Sequence, residues 1–203
     1  FIDLHPQYGD ASYYLSDTVA SSNIADILSQ PYLNSVTIAA AAIQVSDNYY
    51  LLPASNSIEK SSSIQPHHID TLLTVASYEY DYIFLDLSYN LDSISMRALD
   101  RSDLIYIVTQ PTLAYLKALV NLLGVFSELN YPQQRIKIVM NKFDIQAALP
   151  VGKINELISK KVDAEIPFDP SAVDESINAG IPLVKMYRMN PVSRAIEELV
   201  TLL

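Results

Sequence analysis

Short apolar runs punctuate the chain: FIDL at 1–4, YYLLP at 49–53, YDYIFLDL at 80–87, LIYIVTQP at 104–111, RIKIVMNK at 135–142 and VDAEIP at 162–167. Most are continuous rather than alternating, the pattern of strands covered on both faces of a parallel sheet. The stretches between them predict helices at 22–30, 35–45, 66–78, 111–130, 151–160, 170–179 and 191–203. In 111–130 the residues Leu113, Leu116, Val120, Leu123, Phe126 and Leu129 recur every three or four positions, giving one apolar stripe. Pro66 suits a first helical position, and Gly180 suits a left-handed stop after 170–179. The serine-rich tract 53–66 reads as a surface loop. Strands alternating with helices predict an α/β fold, a mostly parallel sheet flanked by helices, in one domain.

Composition narrows the function. Half of the 203 residues are hydrophobic and 18% are charged, enough for a sizeable core. The formal net charge of −10 argues against nucleic acid, because polyanion binding needs Lys and Arg to displace counterions. Cysteine is absent, which excludes disulfides and thiolate chemistry. No run approaches the roughly 18 apolar residues of a membrane span, so no direct membrane insertion is expected and the cytoplasm is the default.

Ligands of open parallel sheets bind at the carboxyl ends of strands, so the residues there are the candidates. The first strand runs into DLHPQYGD, the third closes on Asp86, Asn141 follows the fifth, and the last leads into PFDPSAV. An Asp closing a buried strand is the Walker B pattern, whose carboxylate helps hold Mg²⁺ against phosphates; it also closes strands simply to cap a turn. Asn141 has the same bland alternative, and His5 can be a polar residue at a strand end with no mechanistic role. His67 and His68 raise a metal, but adjacent His side chains at a helix start are expected to diverge, and a metal needs several converging ligands. Tyr49, Tyr50, Tyr80, Tyr82 and Tyr106 suit half-buried positions in or beside strands better than a platform for bases.

In combination these segments are more specific. FIDLHPQYGDASYYL, YDYIFLDL, LIYIVTQPTLAYLKAL, IKIVMNKFD, EIPFDPSAVDESINAGIPLV and NPVSRAIEEL occur in order. The chain thereby resembles the MinD/ParA family of deviant-Walker P-loop ATPases, and within it the CpaE/TadZ branch of Flp (Tad) pilus assembly. The resemblance implies P-loop NTPase architecture, ATP and Mg²⁺ as ligands, a nucleotide-controlled homodimer, pilus or secretion machinery as partners, and cytoplasmic localisation at the cell pole. Asp3 would match the first acid of a D-x-D motif near Mg²⁺, and Asp86 the Walker B acid. Asn141 would read the adenine edge, and Pro167, Phe168 and Asp169 would cover the base.

The chain departs from that pattern in several places. His5 stands where the family has a second acid that positions the attacking water. Lys117 and Ala118 stand where MinD has a basic–acidic pair. The glycine-rich G-x-x-x-x-G-K-[ST] loop is absent: there are four glycines, and in the one Gly–Lys pair, Gly152–Lys153, Ile154 follows where Ser or Thr is required. The expectation is therefore a domain lacking the family's first strand, P-loop and first helix within these residues. An ATP-responsive pilus protein, a degenerate non-hydrolysing scaffold of the same fold, and a partition or division-site ATPase are the competing functions, the last disfavoured by the acidic charge.

Overall fold

A computed structural model describes residues 1–5, 9–16, 20–144 and 149–202. The described chain divides into two compact units, Phe1–Ser102 and Asp103–Leu203.

The first unit runs β1 (Ile2–Asp3), α1 (Ala11–Leu15), α2 (Ile24–Leu28), α3 (Ser35–Ala41), β2 (Ile43–Ser46), β3 (Tyr49–Leu51), α4 (Ile58–Ser62), α5 (Pro66–Ala76), β4 (Leu85–Asp86) and α6 (Ser93–Arg101). Local sequence starts its helices. Asn23 and Asp26 form a reciprocal capping box on α2, Asn34 and Thr37 do so on α3, and Pro66 opens α5. β1 and β4 are parallel, with Ile2 opposite Leu85 and Asp3 opposite Asp86. On its other side β1 exchanges backbone hydrogen bonds with Leu52, just past β3. The core gathers Ile2 and Leu4 with Ile24, Ile27, Ile69 and Leu72, so the first strand is anchored by helices α2 and α5.

The second unit runs β5 (Ile105–Thr109), α7 (Leu113–Glu128), β6 (Ile136–Phe143), α8 (Val151–Ile158), β7 (Ala164–Pro167), α9 (Pro170–Ala179), α10 (Leu183–Met186) and α11 (Pro191–Leu199). β5, β6 and β7 form a parallel sheet in that order. Leu116 and Leu119 of α7 and Ile154 and Ile158 of α8 pack with Ile138 and Met140 of β6. Gly180 ends α9 at φ 63°, a left-handed turn that glycine adopts without steric cost.

The α/β class with a parallel sheet and flanking helices is as the sequence predicts, but several elements differ. The helix expected over 35–45 stops at Ala41, and Ile43–Ser46 pairs antiparallel with β3. Ile43 and Val45 alternate with Gln44 and Ser46, a period of two, which suits a strand. The tract expected as loop contains α4, while α1, α6 and α10 lie where no helix was expected. The apolar stripe of α7 also shifts. Leu116, Leu119 and Phe126 are buried, whereas Leu113, Val120 and Leu129 are exposed. Among the expected half-buried tyrosines, Tyr82 is exposed.

Several strands, β2, β4, β5 and β7, have one partner strand each among the described residues. Among the described residues β4 pairs only with β1, and β5 pairs only with β6. Phe84, next to β4, and Val108, within β5, are exposed there. An edge of this kind presents unpaired N–H and C=O groups to any further strand.

Candidate functional site

The β1–β4 register builds the first cluster. Leu4 N–H donates to the Asp86 carbonyl and Asp3 N–H donates to the Leu52 carbonyl, which fixes the end of β1 between its neighbours. Asp3 and Asp86 are directly opposite one another on adjacent parallel strands, so both carboxylates stand at the carboxyl end of the pair. Asp3 is 1% exposed. A charge so buried must have its lone pairs met. His5 N–H donates to Asp3 Oδ1 at 3.1 Å, and Ala11 N–H donates to Asp3 Oδ2 at 3.3 Å.

His5 turns back over this pair. Its Nδ1 lies 3.1 Å from Asp3 Oδ1 and 4.0 Å from Asp86 Oδ2. Burial pushes the Asp86 carboxyl above its usual range; His5 opposes the rise, and Asp3 and Asp10 add to it. Two acids thus converge on one imidazole. The ligand atoms of Asp3, His5 and Asp86 all lie within 4.8 Å of one another, and among the described residues this is the one group so arranged.

Gly9 was not singled out from the sequence, yet it makes the cluster possible. A Cβ at Gly9 would run into Ala54 Cβ and would stand 2.7 Å from Asp3 Oδ2. The signal in the sequence was slight: Gly9 is the lone glycine before Gly124. Pro6, Gln7 and Tyr8, the rest of the DLHPQYGD motif, lie outside the described residues.

The base-side candidates fall in the second unit, at the carboxyl ends of neighbouring strands. Asn141 is on β6, and its Oδ1 accepts from Lys142 N–H at 2.8 Å, where Lys142 has φ 51° and the β6–β7 register shifts. Pro167 closes β7 opposite Phe143, and Phe168 N–H donates to the Phe143 carbonyl. The Phe168 side chain is half exposed. Asp169 caps α9 through Ala172 N–H and accepts from Asn190 Nδ2 at 2.8 Å. The Asn190 bond first, then the Ala172 bond, holds its carboxyl below the usual range. Asp169 therefore ties α9 to the start of α11, a structural task that the sequence signalled only as Asp–Pro and Asn–Pro dipeptides.

The remaining candidates are separate from both clusters. Lys117 and Ala118 are exposed on α7, and Gly152 and Lys153 lie inside helix α8 rather than in a loop. The His67 and His68 rings do not diverge as expected; they lie 4.1 Å apart, and His68 Nδ1 accepts the Gln65 N–H.

No protein-family model matches this chain, and no curated protein matches it in sequence. Solved structures do match. A ParA family ATPase from Chlorobium tepidum is 28% identical with a TM-score of 0.92, over 100% of this chain and 85% of that one. MinD from Pyrococcus horikoshii, complexed with Mg-ADP, is 20% identical with a TM-score of 0.81, over 98% of this chain and 79% of that one. A plasmid partition protein from Borrelia burgdorferi, bound to AMPPNP, is 18% identical with a TM-score of 0.71, over 98% and 85%. The fold is that of the MinD/ParA P-loop ATPases.

Proposed function

We propose that this chain forms most of a MinD/ParA-like ATP-binding domain that acts in Flp/Tad-type pilus assembly or its polar placement, through nucleotide-controlled dimerisation and partner recruitment in the cytoplasm. The observation that carries this reading is the β1–β4 register, which sets a buried Asp3 beside Asp86 at the strand ends of a MinD/ParA fold. The tail NAGIPLV with NPVSRAIEEL supports the pilus branch by resemblance.

The carboxylates fit Mg²⁺, which is held in nucleotide sites by one or two acids with water and phosphate oxygens completing an octahedron. Asp3 and Asp86 would hold it, and the ion would supply charge neutralisation at the phosphates. Asn141 would meet the adenine edge, with Pro167, Phe168 and Asp169 beside the base. The G-x-x-x-x-G-K-[ST] pattern of a phosphate cradle does not occur among the 203 residues.

His5 favours a second reading, a non-hydrolysing scaffold of the same fold. An imidazole does not supply the fixed negative charge of the acid it replaces. The complete gene product decides between them. Nucleotide control predicts a dimer on adding Mg-ATP, measured by light scattering. If water positioning is the one defect, His5→Asp raises turnover about 10²–10⁴-fold. A dimer with turnover unchanged by His5→Asp favours the scaffold. A product that binds no ATP and stays monomeric overturns nucleotide control.

A further inference from the structure

We propose that Asp3, His5 and Asp86 form a direct binding site for a divalent transition metal such as Zn²⁺ or Co²⁺, filled without nucleotide. This goes beyond the ATP reading: it uses the same strand ends but needs no phosphate.

The donor set is the first argument. Two carboxylate oxygens and an imidazole nitrogen converge from two adjacent strands. Mg²⁺ demands oxygen donors, whereas imidazole suits Zn²⁺, Co²⁺, Ni²⁺ and Cu²⁺. His5 therefore changes which cation the cluster prefers.

Spacing is the second argument. With metal–ligand bonds of about 2.0–2.1 Å, neighbouring ligands of a tetrahedral or octahedral ion stand about 2.9–3.4 Å apart and opposite ones about 4.1 Å. Nδ1 of His5 stands 3.1 Å from Asp3 Oδ1 and 4.0 Å from Asp86 Oδ2. An octahedral ion takes the 4.0 Å pair as opposite ligands, whereas a tetrahedral one needs Asp86 drawn toward His5; all three ligand atoms lie within 4.8 Å of one another.

The third argument is support and access. Backbone N–H groups of His5 and Ala11 hold the Asp3 carboxylate, the outer contacts that fix a metal ligand. Gly9 brings the backbone against the same carboxylate. His5 and Asp86 side chains are 28% and 40% exposed, which leaves an approach for the ion and room for water in the remaining positions. Without metal the 3.1 Å contact is a hydrogen bond that the imidazole donates to Asp3 Oδ1; a metal takes that hydrogen's place, with the ring hydrogen then on Nε2 and the Nδ1 lone pair facing the ion.

The test is a Co²⁺ titration of the nucleotide-free 203-residue chain, followed by its visible absorption, with Zn²⁺ as competitor. One saturable site is expected, displaced by Zn²⁺ and not by equimolar Mg²⁺. Loss of an outer-shell partner alone costs about 10–100-fold in metal affinity, so His5→Ala should cost at least that. His5→Asp should fold and invert the preference toward Mg²⁺ and Mn²⁺. The other two histidines provide the control, since His67→Ala/His68→Ala should leave Co²⁺ affinity unchanged. No saturable Co²⁺ site, undiminished affinity in His5→Ala, unaltered metal preference in His5→Asp, or loss of binding in the His67/His68 variant overturns the proposal. Failure here leaves ATP-dependent dimerisation untouched, so the two readings fail separately.

Discussion

Asp3 shows how a single residue ties sequence to site. Its carboxylate is stable in the interior because His5 and Ala11 donate to it and because Gly9 leaves room for it. Gly9→Ala should cost about 1–3 kcal/mol in denaturant unfolding, the usual penalty of forcing extra volume into a packed place. The same variant should weaken Co²⁺ binding, because the added Cβ presses on Asp3 Oδ2. An unchanged midpoint would mean that the Gly9 backbone is not held against that carboxylate. The acids were legible beforehand, since an Asp closing an apolar run is a pattern. That His5 folds back to within 3.1 Å of Asp3 Oδ1 was not, because the turn after a strand is set by packing rather than by local spacing. Asp169 was read for its place beside the base, and its bond to Asn190 across 21 positions leaves no trace in local sequence.

At the scale of elements, the clearest difference concerns α7. Its sequence is apolar on more than one face, so the three-and-four periodicity admits several stripes, and only contact with β6 selects Leu116 and Leu119. Leu116→Ala should therefore cost about 2–5 kcal/mol in denaturant unfolding. Leu113→Ala, half exposed, should stay within about 0.5 kcal/mol. Equal costs would return the stripe to the face read from the sequence. Helices α5 and α6 are joined differently, by Asp70 with Arg97 and Arg101. The Arg97 hydrogen bond above all holds the Asp70 carboxyl below its ordinary value; partial burial opposes this, and Arg101 adds to it. A carboxyl lowered in the folded state stabilises at pH above its unfolded value, about 3.9, and loses that contribution as pH falls through the folded value. Asp70→Asn should lower the melting temperature at neutral pH, and the gap to the parent should close in acid. A gap independent of pH would assign the effect to packing instead. The strands were more legible than the helices. Buried parallel strands are continuous apolar runs, whereas short helices such as α1, α4, α6 and α10 rest on tertiary support that propensity does not record.

Across the whole molecule, charge sets what the protein can bind. The formal charge of −10 repels polyanions at long range, so a mobility-shift titration with duplex DNA at low salt should show no complex. Tight binding that falls steeply with added salt would revive a partition role. Among the described residues no helix is long and apolar enough to cross a membrane. The α/β class and the strand-end acids could be read from the sequence. The division into two compact units could not, because which elements pack together follows from long-range contacts that local sequence does not record. The central proposal is that the strand-end acids Asp3 and Asp86, and separately Asn141 with Phe168, meet nucleotide, and do so weakly because the G-x-x-x-x-G-K-[ST] pattern does not occur among the 203 residues. An amide NMR titration of the 203-residue chain with Mg-ATP tests it most directly. The account predicts binding far weaker than micromolar, with shifts at His5 and Asp86 and at Asn141 and Phe168. A micromolar dissociation constant, about −8 kcal/mol, would contradict it, as would unmoved amides at those positions with millimolar nucleotide.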